Sequence, residues 1–271
     1  MKKFLLFFLM TAVLTQTLLA QEKEAPKGDE DSSIGLEAGI DYYSLYLFRG
    51  LYFFGGDGAF LPYAIYDIAK SGVKATVLGE ISESYIGEGK NDRNHTAFIN
   101  HGVDFCLSYE HVFKKDKEDF LSLGFEAWYY WYFNLKDATG FNGDYFTGKV
   151  TATLLAFSIT PFAAVSYDYY LDKDYVEKQG EDFYVQLGAK YEKKLAEAAL
   201  VNFSLWGGYY NARSIHKTGF SDVSAAVGFE LTHGAVTLKS SFNYVLVPDK
   251  EFYRGEDINR FFATFGASYS I

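Results

Sequence analysis

Short runs in which apolar and polar side chains alternate recur along most of this 271-residue chain. In the clearest run, Val73, Ala75 and Val77 alternate with Lys74 and Thr76. Successive side chains of a strand point to opposite faces, whereas a helix repeats every 3.6 residues. A period of two therefore predicts β-strands with one apolar and one polar face, and it excludes helix as the dominant element. Comparable runs begin near residues 102, 183, 201, 223 and 261.

The links between the runs alternate in length. Five short links, 69–72, 113–118, 157–160, 192–197 and 233–235, are interleaved with six longer ones, 50–58, 86–96, 134–145, 171–181, 211–219 and 247–259. A meander of twelve strands with both ends on the periplasmic side gives this pattern. Closure also satisfies every strand edge, which lipid requires. We therefore predict an all-β, transmembrane, antiparallel up-and-down β-barrel of about 12 strands over residues 34–271. A water-soluble sandwich is the alternative.

The composition fits a wall that meets lipid on one side only. Hydrophobic residues make up 49% of the chain and aromatic residues 19%, yet the mean hydropathy is only -0.08. Apolar and polar residues must therefore be finely mixed. Aromatic residues gather near the ends of runs, at 42–43, 128–133, 167–170 and 209–210, where rings suit the headgroup level and predict aromatic girdles.

The first residues have the layout of an export signal. Lys2 and Lys3 precede an apolar stretch that reaches Ala20, which predicts a cleaved signal peptide over 1–20. An uncleaved membrane helix, the alternative, needs roughly 20 apolar residues. The polar segment 21–33 is predicted to be a flexible periplasmic lead.

These features together predict a protein of the outer membrane of a Gram-negative-type bacterium. Its expected partners are outer-membrane lipids, the barrel assembly machinery and small solutes or ions. A formal net charge of -10 argues against nucleic acid as a partner. Cys106 is the single cysteine, so no internal disulfide can form.

The segment Ser44-Leu45-Tyr46-Leu47-Phe48-Arg49-Gly50 closes the first predicted strand. It resembles the N-terminal motif Ser-Asp-Tyr-x-x-Arg-Gly of a family of uncharacterised bacterial outer-membrane barrels, with Leu45 in place of the Asp. The resemblance implies a barrel fold, an outer-membrane location and a porin-like role, and it implies no substrate. Phe265 and Tyr269 are similar to the aromatic residues of the final strand by which such barrels are recognised for assembly, although Ile271 replaces the usual terminal aromatic residue.

No catalytic or cofactor motif is evident. The five histidines, His95, His101, His111, His216 and His233, lie in no recognisable catalytic pattern, and a nucleophile, a base and an orienting group would have to converge. The segment Asp172-Lys173-Asp174 lacks the further ligands of a calcium loop. We therefore expect no catalytic residues, no metal and no cofactor, and an outer-membrane enzyme ranks third among the functions considered.

The inner face is predicted to be charged and mostly acidic. Charged residues avoid lipid because Lys there costs roughly 2–4 kcal/mol near the midplane. The predicted lumen-lining charges are Glu37, Asp41, Lys74, Glu80, Asp104, Glu110, Glu126, Lys149, Asp168, Lys190, Glu230 and Lys239. They favour a passive channel for small solutes, preferentially cationic or neutral. The alternative, a non-conducting structural or surface-binding barrel, has these charges paired in a filled lumen.

Two arginines occur in matching triplets, Phe48-Arg49-Gly50 and Tyr253-Arg254-Gly255. The last strand of a closed barrel pairs with the first, so both triplets belong to neighbouring loops. We expect Arg49 and Arg254 to form an extracellular loop cluster that accepts anions or fixes the loops. Two unrelated, solvated arginines are the alternative.

Overall fold

Twelve antiparallel strands close into a barrel in the computed structural model of this chain. The structure describes residues 35–49, 51–52, 58–68, 71–82, 101–132, 144–171, 181–213, 217–248 and 259–271. Each barrel strand pairs with its neighbours along the chain, and the last strand pairs with the first. The predicted fold class is thereby confirmed. The predicted signal peptide, 1–20, and lead, 21–33, lie outside the described residues.

The strands lengthen from the first third of the chain to the middle. The barrel strands are β1 Leu36–Tyr43, β4 Ala59–Asp67, β5 Val73–Ser82, β6 His101–Lys115, β7 Glu118–Tyr132, β8 Tyr145–Leu154, β9 Ile159–Tyr170, β10 Asp182–Ala196, β11 Ala199–Ala212, β12 Lys217–His233, β13 Val236–Leu246 and β14 Asn259–Ser270. The two-residue strands β2 Leu47–Phe48 and β3 Leu51–Tyr52 pair only with each other. Within the described ranges, no helix is long and apolar enough to cross a membrane.

Tight turns join the strands at the end of the barrel that carries residue 35 and Ile271. Asp116 and Lys117 connect β6 to β7 with φ values of 54° and 74°. A type I′ hairpin turn requires a positive φ at both central residues. Gly234 serves the β12–β13 turn with φ 57°. At the opposite end, the link predicted over 211–219 is shorter than expected, because β11 runs to Ala212 and β12 begins at Lys217.

The outer surface of the barrel is apolar. Leu107, Leu187 and Leu205 are each more than half exposed, at 59%, 61% and 57%, as the alternation predicts for side chains that face lipid. Aromatic residues divide by the same rule. In β7, Trp131 is 44% exposed, whereas its neighbour Tyr130 is 9% exposed and packs inward. The aromatic runs therefore supply rings to the lipid face and to the lumen alternately.

We expect the purified protein, folded in detergent, to give a β-type circular dichroism spectrum and to migrate differently on gels before and after boiling. Every barrel strand is hydrogen-bonded on both sides, so mild detergent has no open edge to unzip. The two measurements are made on one sample, with the boiled aliquot as the control. A helix-rich spectrum would contradict the fold.

Candidate functional site

The chain turns into the barrel directly after β1. We call residues 44–49 the strap. Its first residue is tied to β14, because the Ser44 backbone N–H donates to the Ala263 carbonyl at 2.9 Å and the Ala263 N–H donates to Ser44 Oγ at 2.9 Å. Leu45 is only 7% exposed. The strap is thus a packed part of the interior, whereas the sequence predicts that residues 44–50 close the first strand and that Arg49 belongs to an extracellular loop.

Tyr46 fixes the strap to a second wall of the barrel. Its hydroxyl donates to Glu80 Oε1 on β5 at 3.1 Å, and its ring meets Tyr43 edge-on at 5.5 Å between centroids. Burial, and then the nearby Glu80 carboxylate, raise the pKa of Tyr46 well above its usual value. Tyr46 therefore remains a neutral hydrogen-bond donor at physiological pH.

Arg49 anchors the end of the strap to the opposite wall of the barrel. Its guanidinium pairs with both carboxylate oxygens of Asp168 on β9, a strand six places from β1 in either direction around the barrel. Burial disfavours the charged guanidinium, but attraction and hydrogen bonding to Asp168 outweigh it and raise the pKa of Arg49. The Arg49 side chain is 6% exposed and that of Asp168 is 1% exposed. A bidentate pair of this kind holds both position and orientation.

Tyrosine rings and hydroxyls surround this ion pair. The Arg49 guanidinium lies 5.5 Å from the ring centre of Tyr184 and 5.4 Å from that of Tyr210, within the range of cation–π attraction. The Thr147 hydroxyl donates to Asp168 Oδ1 at 2.6 Å. Desolvation of the pair is therefore offset by several contacts rather than by one.

Two further buried carboxylates accept hydrogen bonds from the same tyrosines. Tyr210 donates to Asp182 Oδ2 at 2.9 Å, and Tyr184 donates to Asp222 Oδ1 at 3.1 Å. Both carboxylates are almost fully buried, at 0% and 2% exposed. Each tyrosine thus contacts the Arg49 cation with its ring and a carboxylate with its hydroxyl. These contacts hold both tyrosine rings in place against the strap.

A cavity of about 330 Å³ lies beside the strap. One side of it carries an ion pair, in which Lys149 Nζ lies 2.8 Å from Glu126 Oε1, and the Trp128 indole N–H donates to Glu126 Oε2 at 2.8 Å. Large rings narrow the space. The cavity combines aromatic surface with a few fixed polar groups, among them Arg49, Trp128, Gln186, Trp206, Ser224 and Phe262, as small-molecule sites do.

The structure places the predicted inner-face charges at several levels of the barrel. Glu126 and Lys149 line the cavity, together with Arg49, which the sequence predicts in an extracellular loop cluster. Glu37 accepts a hydrogen bond from Tyr63 at 3.0 Å and lies 4.0 Å from Lys239, nearer the end that carries the chain termini.

The remaining predicted charges are spread along the strands. The Ser122 hydroxyl donates to Glu110, and the Lys190 ammonium lies 5.3 Å from the Phe162 ring centre. Asp41 is half-buried, and Glu80 and Asp104 are buried. Lys74 lies opposite Asp67, and Glu230 lies opposite Lys239. Whether these groups line a conducting path stays a prediction.

The predicted cluster of Arg49 with Arg254 is not tested, because Arg254 lies outside the described residues. Arg49 itself points into the barrel and pairs with Asp168. Of the histidines, His111 and His233 are exposed. Among the residues that the structure describes, no group of three or more His, Cys, Asp or Glu side chains is placed to hold a metal ion.

Sequence reasoning missed Asp182 and Asp222. Asp182 is the first residue of β10 and shares the inward face of Tyr184, so one more step of the alternation would have found it. Asp222 stands at a register shift between β11 and β12, opposite Gly208. The irregularity leaves Ser221 and Asp222 both buried, which simple alternation forbids.

Solved barrels of similar architecture align with 87–92% of this chain. The NanC porin aligns with a TM-score of 0.51 and 11% identity, over 87% of this chain and 100% of that chain. The KdgM porin aligns with a TM-score of 0.49 and 10% identity, over 87% and 99%. An outer-membrane channel of Pseudomonas putida F1 aligns with a TM-score of 0.47 and 12% identity, over 92% and 100%. Neither a protein-family profile nor a curated relative matches the sequence.

The alignment with the NanC porin shows a shared fold. Twelve closed strands with an apolar exterior and a polar, charged interior are the architecture of outer-membrane barrels. The protein thus has the fold of a porin-like outer-membrane β-barrel.

Proposed function

We propose that this protein is a passive outer-membrane channel for small solutes, preferentially cationic or neutral, whose lumen is narrowed by the strap. The observation that carries the proposal is the cavity beside the strap, lined by charged, amide and hydroxyl groups as well as by rings. A barrel interior filled only to pack a core would have no need of such groups, because polar groups are costly to bury.

The charge of the inner face supports the cation preference. Two of the inner carboxylates are neutralised by ion pairs: Arg49 neutralises Asp168, and Lys149 neutralises Glu126. Asp222 is held instead by the hydroxyls of Tyr184 and Ser221. Hydroxyl groups satisfy a carboxylate without cancelling its charge, so the potential inside the barrel stays negative. Rings of acidic groups between low-dielectric walls lower the entry barrier for cations.

Reconstitution into planar bilayers tests the proposal. We expect single-channel steps and, in a KCl gradient, a reversal potential of the sign that marks cation preference. The preference should weaken as salt rises, because the screening length falls from about 10 Å at 0.1 M to about 3 Å at 1 M. Anion preference at low salt would contradict the charge argument, and a silent bilayer with folded protein present would contradict the channel.

A non-conducting structural or surface-binding barrel is the second candidate, and the strap is the observation that favours it. The strap leads from β1 to the far wall, where Arg49 pairs with Asp168 and packs against the Tyr210 ring. In that case the interior would serve stability, and the links between the strands would carry the function. The same bilayer measurement separates the two candidates, and an assay of lipid or peptide turnover addresses the third, an outer-membrane enzyme.

The exterior defines the other proposed partners. Outer-membrane lipids would cover the apolar belt. The barrel assembly machinery would recognise the last strand, β14, where Tyr269 is 53% exposed.

A further inference from the structure

Two acidic side chains lie together beneath the root of the strap. Glu80 on β5 stands opposite Gly102 of β6, and Asp104 follows two positions along β6, opposite Leu78. The two carboxylates therefore share the inward face of neighbouring strands as a diagonal pair, a spacing that long side chains can bridge. Glu80 is 2% exposed and Asp104 is 0% exposed.

Three oxygens of this pair make no hydrogen bond of ordinary length and angle to the described residues. They are Glu80 Oε2 and both carboxylate oxygens of Asp104, and each is fully buried. The fourth oxygen, Glu80 Oε1, accepts from Tyr46 at 3.1 Å. No described Lys or Arg forms an ion pair with either residue. The Tyr132 hydroxyl lies beside the Glu80 carboxylate as a further donor, and Asp104 is left with neither a donor nor a cation among the described residues.

We propose that Glu80 and Asp104 form a binding site for a hard divalent cation of the calcium class. Two carboxylates provide a formal charge of -2, which a divalent ion neutralises. A single shared proton would satisfy one oxygen of each acid at most and would leave the third oxygen bare. An ion between the two side chains can contact all three.

The kinds of ligand present select the class of ion. Carboxylate and hydroxyl oxygens suit hard cations, whereas soft or borderline metals prefer thiolate and imidazole. The inward Cys106 is the nearest sulfur along β6, but among the described residues it forms no ligand group with these two acids. Calcium tolerates irregular oxygen coordination, whereas magnesium demands near-ideal octahedral geometry. An irregular arrangement of carboxylate oxygens on the rigid barrel wall therefore favours calcium over magnesium.

Neighbouring groups shape the site and link it to the strap. At Gly102, a Cβ would lie 3.3 Å from Glu80 Oε2 and 3.0 Å from the Tyr132 ring, so the bare glycine lets both side chains lie against the wall. Tyr46 joins Glu80 to the strap. A bound cation would therefore fix the strap where it leaves β1 as well as join β5 to β6.

The test uses the full folded barrel in detergent, stripped with EDTA and then titrated with CaCl₂. We expect the thermal unfolding midpoint to rise by about 5–10 °C at a hundredfold excess of calcium over its Kd, as linkage and barrel size imply. Tb³⁺ added in place of calcium should give luminescence sensitised by the neighbouring tyrosines. Both responses should be lost in Asp104→Asn and in Glu80→Gln.

Glu110→Gln is the matched control, because Glu110 is an acid on β6 whose carboxylate already accepts from Ser122. It should keep the wild-type calcium response. Asp104→Asn removes a buried charge, so we expect it to fold and to be stable in EDTA. The proposal is overturned if calcium leaves the wild-type midpoint unchanged, or if Asp104→Asn responds as the wild type does. A midpoint that rises with acidification but not with calcium would also overturn it, in favour of a shared proton.

Discussion

Replacing Arg49 with alanine should open the lumen and raise the single-channel conductance several-fold. Arg49 is the contact by which the strap reaches the far wall, through its bidentate pair with Asp168 and the rings of Tyr184 and Tyr210. Leu47 also packs against the cluster that contains Tyr184 and Tyr210, and the Phe48 ring meets that of Tyr130 edge-on, but these apolar contacts lack the directionality of the ion pair. The measurement is the conductance of single channels in planar bilayers, with wild type recorded under the same salt.

The same substitution should also destabilise the barrel. It leaves the buried Asp168 without its cation, and removal of one partner of a buried pair costs about 3–5 kcal/mol. We expect the loss in the free energy of unfolding to lie near the lower end of this range, because water can enter the lumen and Thr147 still donates a hydrogen bond to Asp168. The double variant Arg49→Ala with Asp168→Asn should recover part of it, because no charge is then stranded.

Two arginine variants serve as controls for the strap. Arg213→Ala removes an exposed arginine near the same end of the barrel and should leave conductance unchanged. Arg49→Lys keeps the charge but loses the bidentate geometry, so an intermediate conductance is expected. If Arg49→Ala conducts as the wild type does, the strap does not set the width of the pore.

The contacts of the strap give physical meaning to the N-terminal motif. Ser44 is tied to Ala263 on β14, Tyr46 to Glu80 on β5, and Arg49 to Asp168 on β9. The polar side chains of the motif thus each contact a different part of the barrel wall. Leu45, which stands where the similar family has Asp, is buried, so an apolar residue fills this position in the present chain.

The barrel could be predicted from the sequence because period two and link length are local signals. Within each run, such as β5, the alternation alone predicts which residues face outward and which face inward. The alternating short and long links predict the meander order of the strands. The strap could not be predicted in this way. Arg49 and Asp168 are 119 residues apart in sequence, and alternation specifies the face of a residue but not which opposite strand a loop side chain can reach.

The inner face was predictable only where the alternation is regular. Asp104 and Asp168 follow the alternation, and both are buried in the structure. Asp222 also follows the alternation, two residues before the buried Ser224, but it lies one residue outside the predicted run; Ser221, buried beside it at a register shift, is the residue that breaks the pattern. The partners of each charge also depend on depth along the barrel. Glu126 contacts Lys149 because these two residues lie opposite each other in the pairing of β7 with β8. No local pattern in the sequence specifies this register.

Leu187 and Gln186 offer a direct measure of the two faces of the wall. Leu187 is 61% exposed on the outside of β10, midway between the outward Phe183 and Tyr191. Gln186 is its neighbour in the chain and lines the cavity inside. The two positions share a depth in the membrane, so they differ only in the medium that a new side chain would meet.

Leu187→Lys should lower the free energy of unfolding by about 2–4 kcal/mol, the cost of placing Lys against lipid near the midplane. Gln186→Lys should cost far less, because the lumen is polar and Lys is close to Gln in length. Equilibrium unfolding by denaturant in phospholipid vesicles measures both. Equal losses for the two variants would mean that the outer face at this depth does not meet lipid. A large difference of the expected sign ties the alternation of single residues in the sequence to the membrane itself, because only the bilayer distinguishes two adjacent residues of one strand in this way.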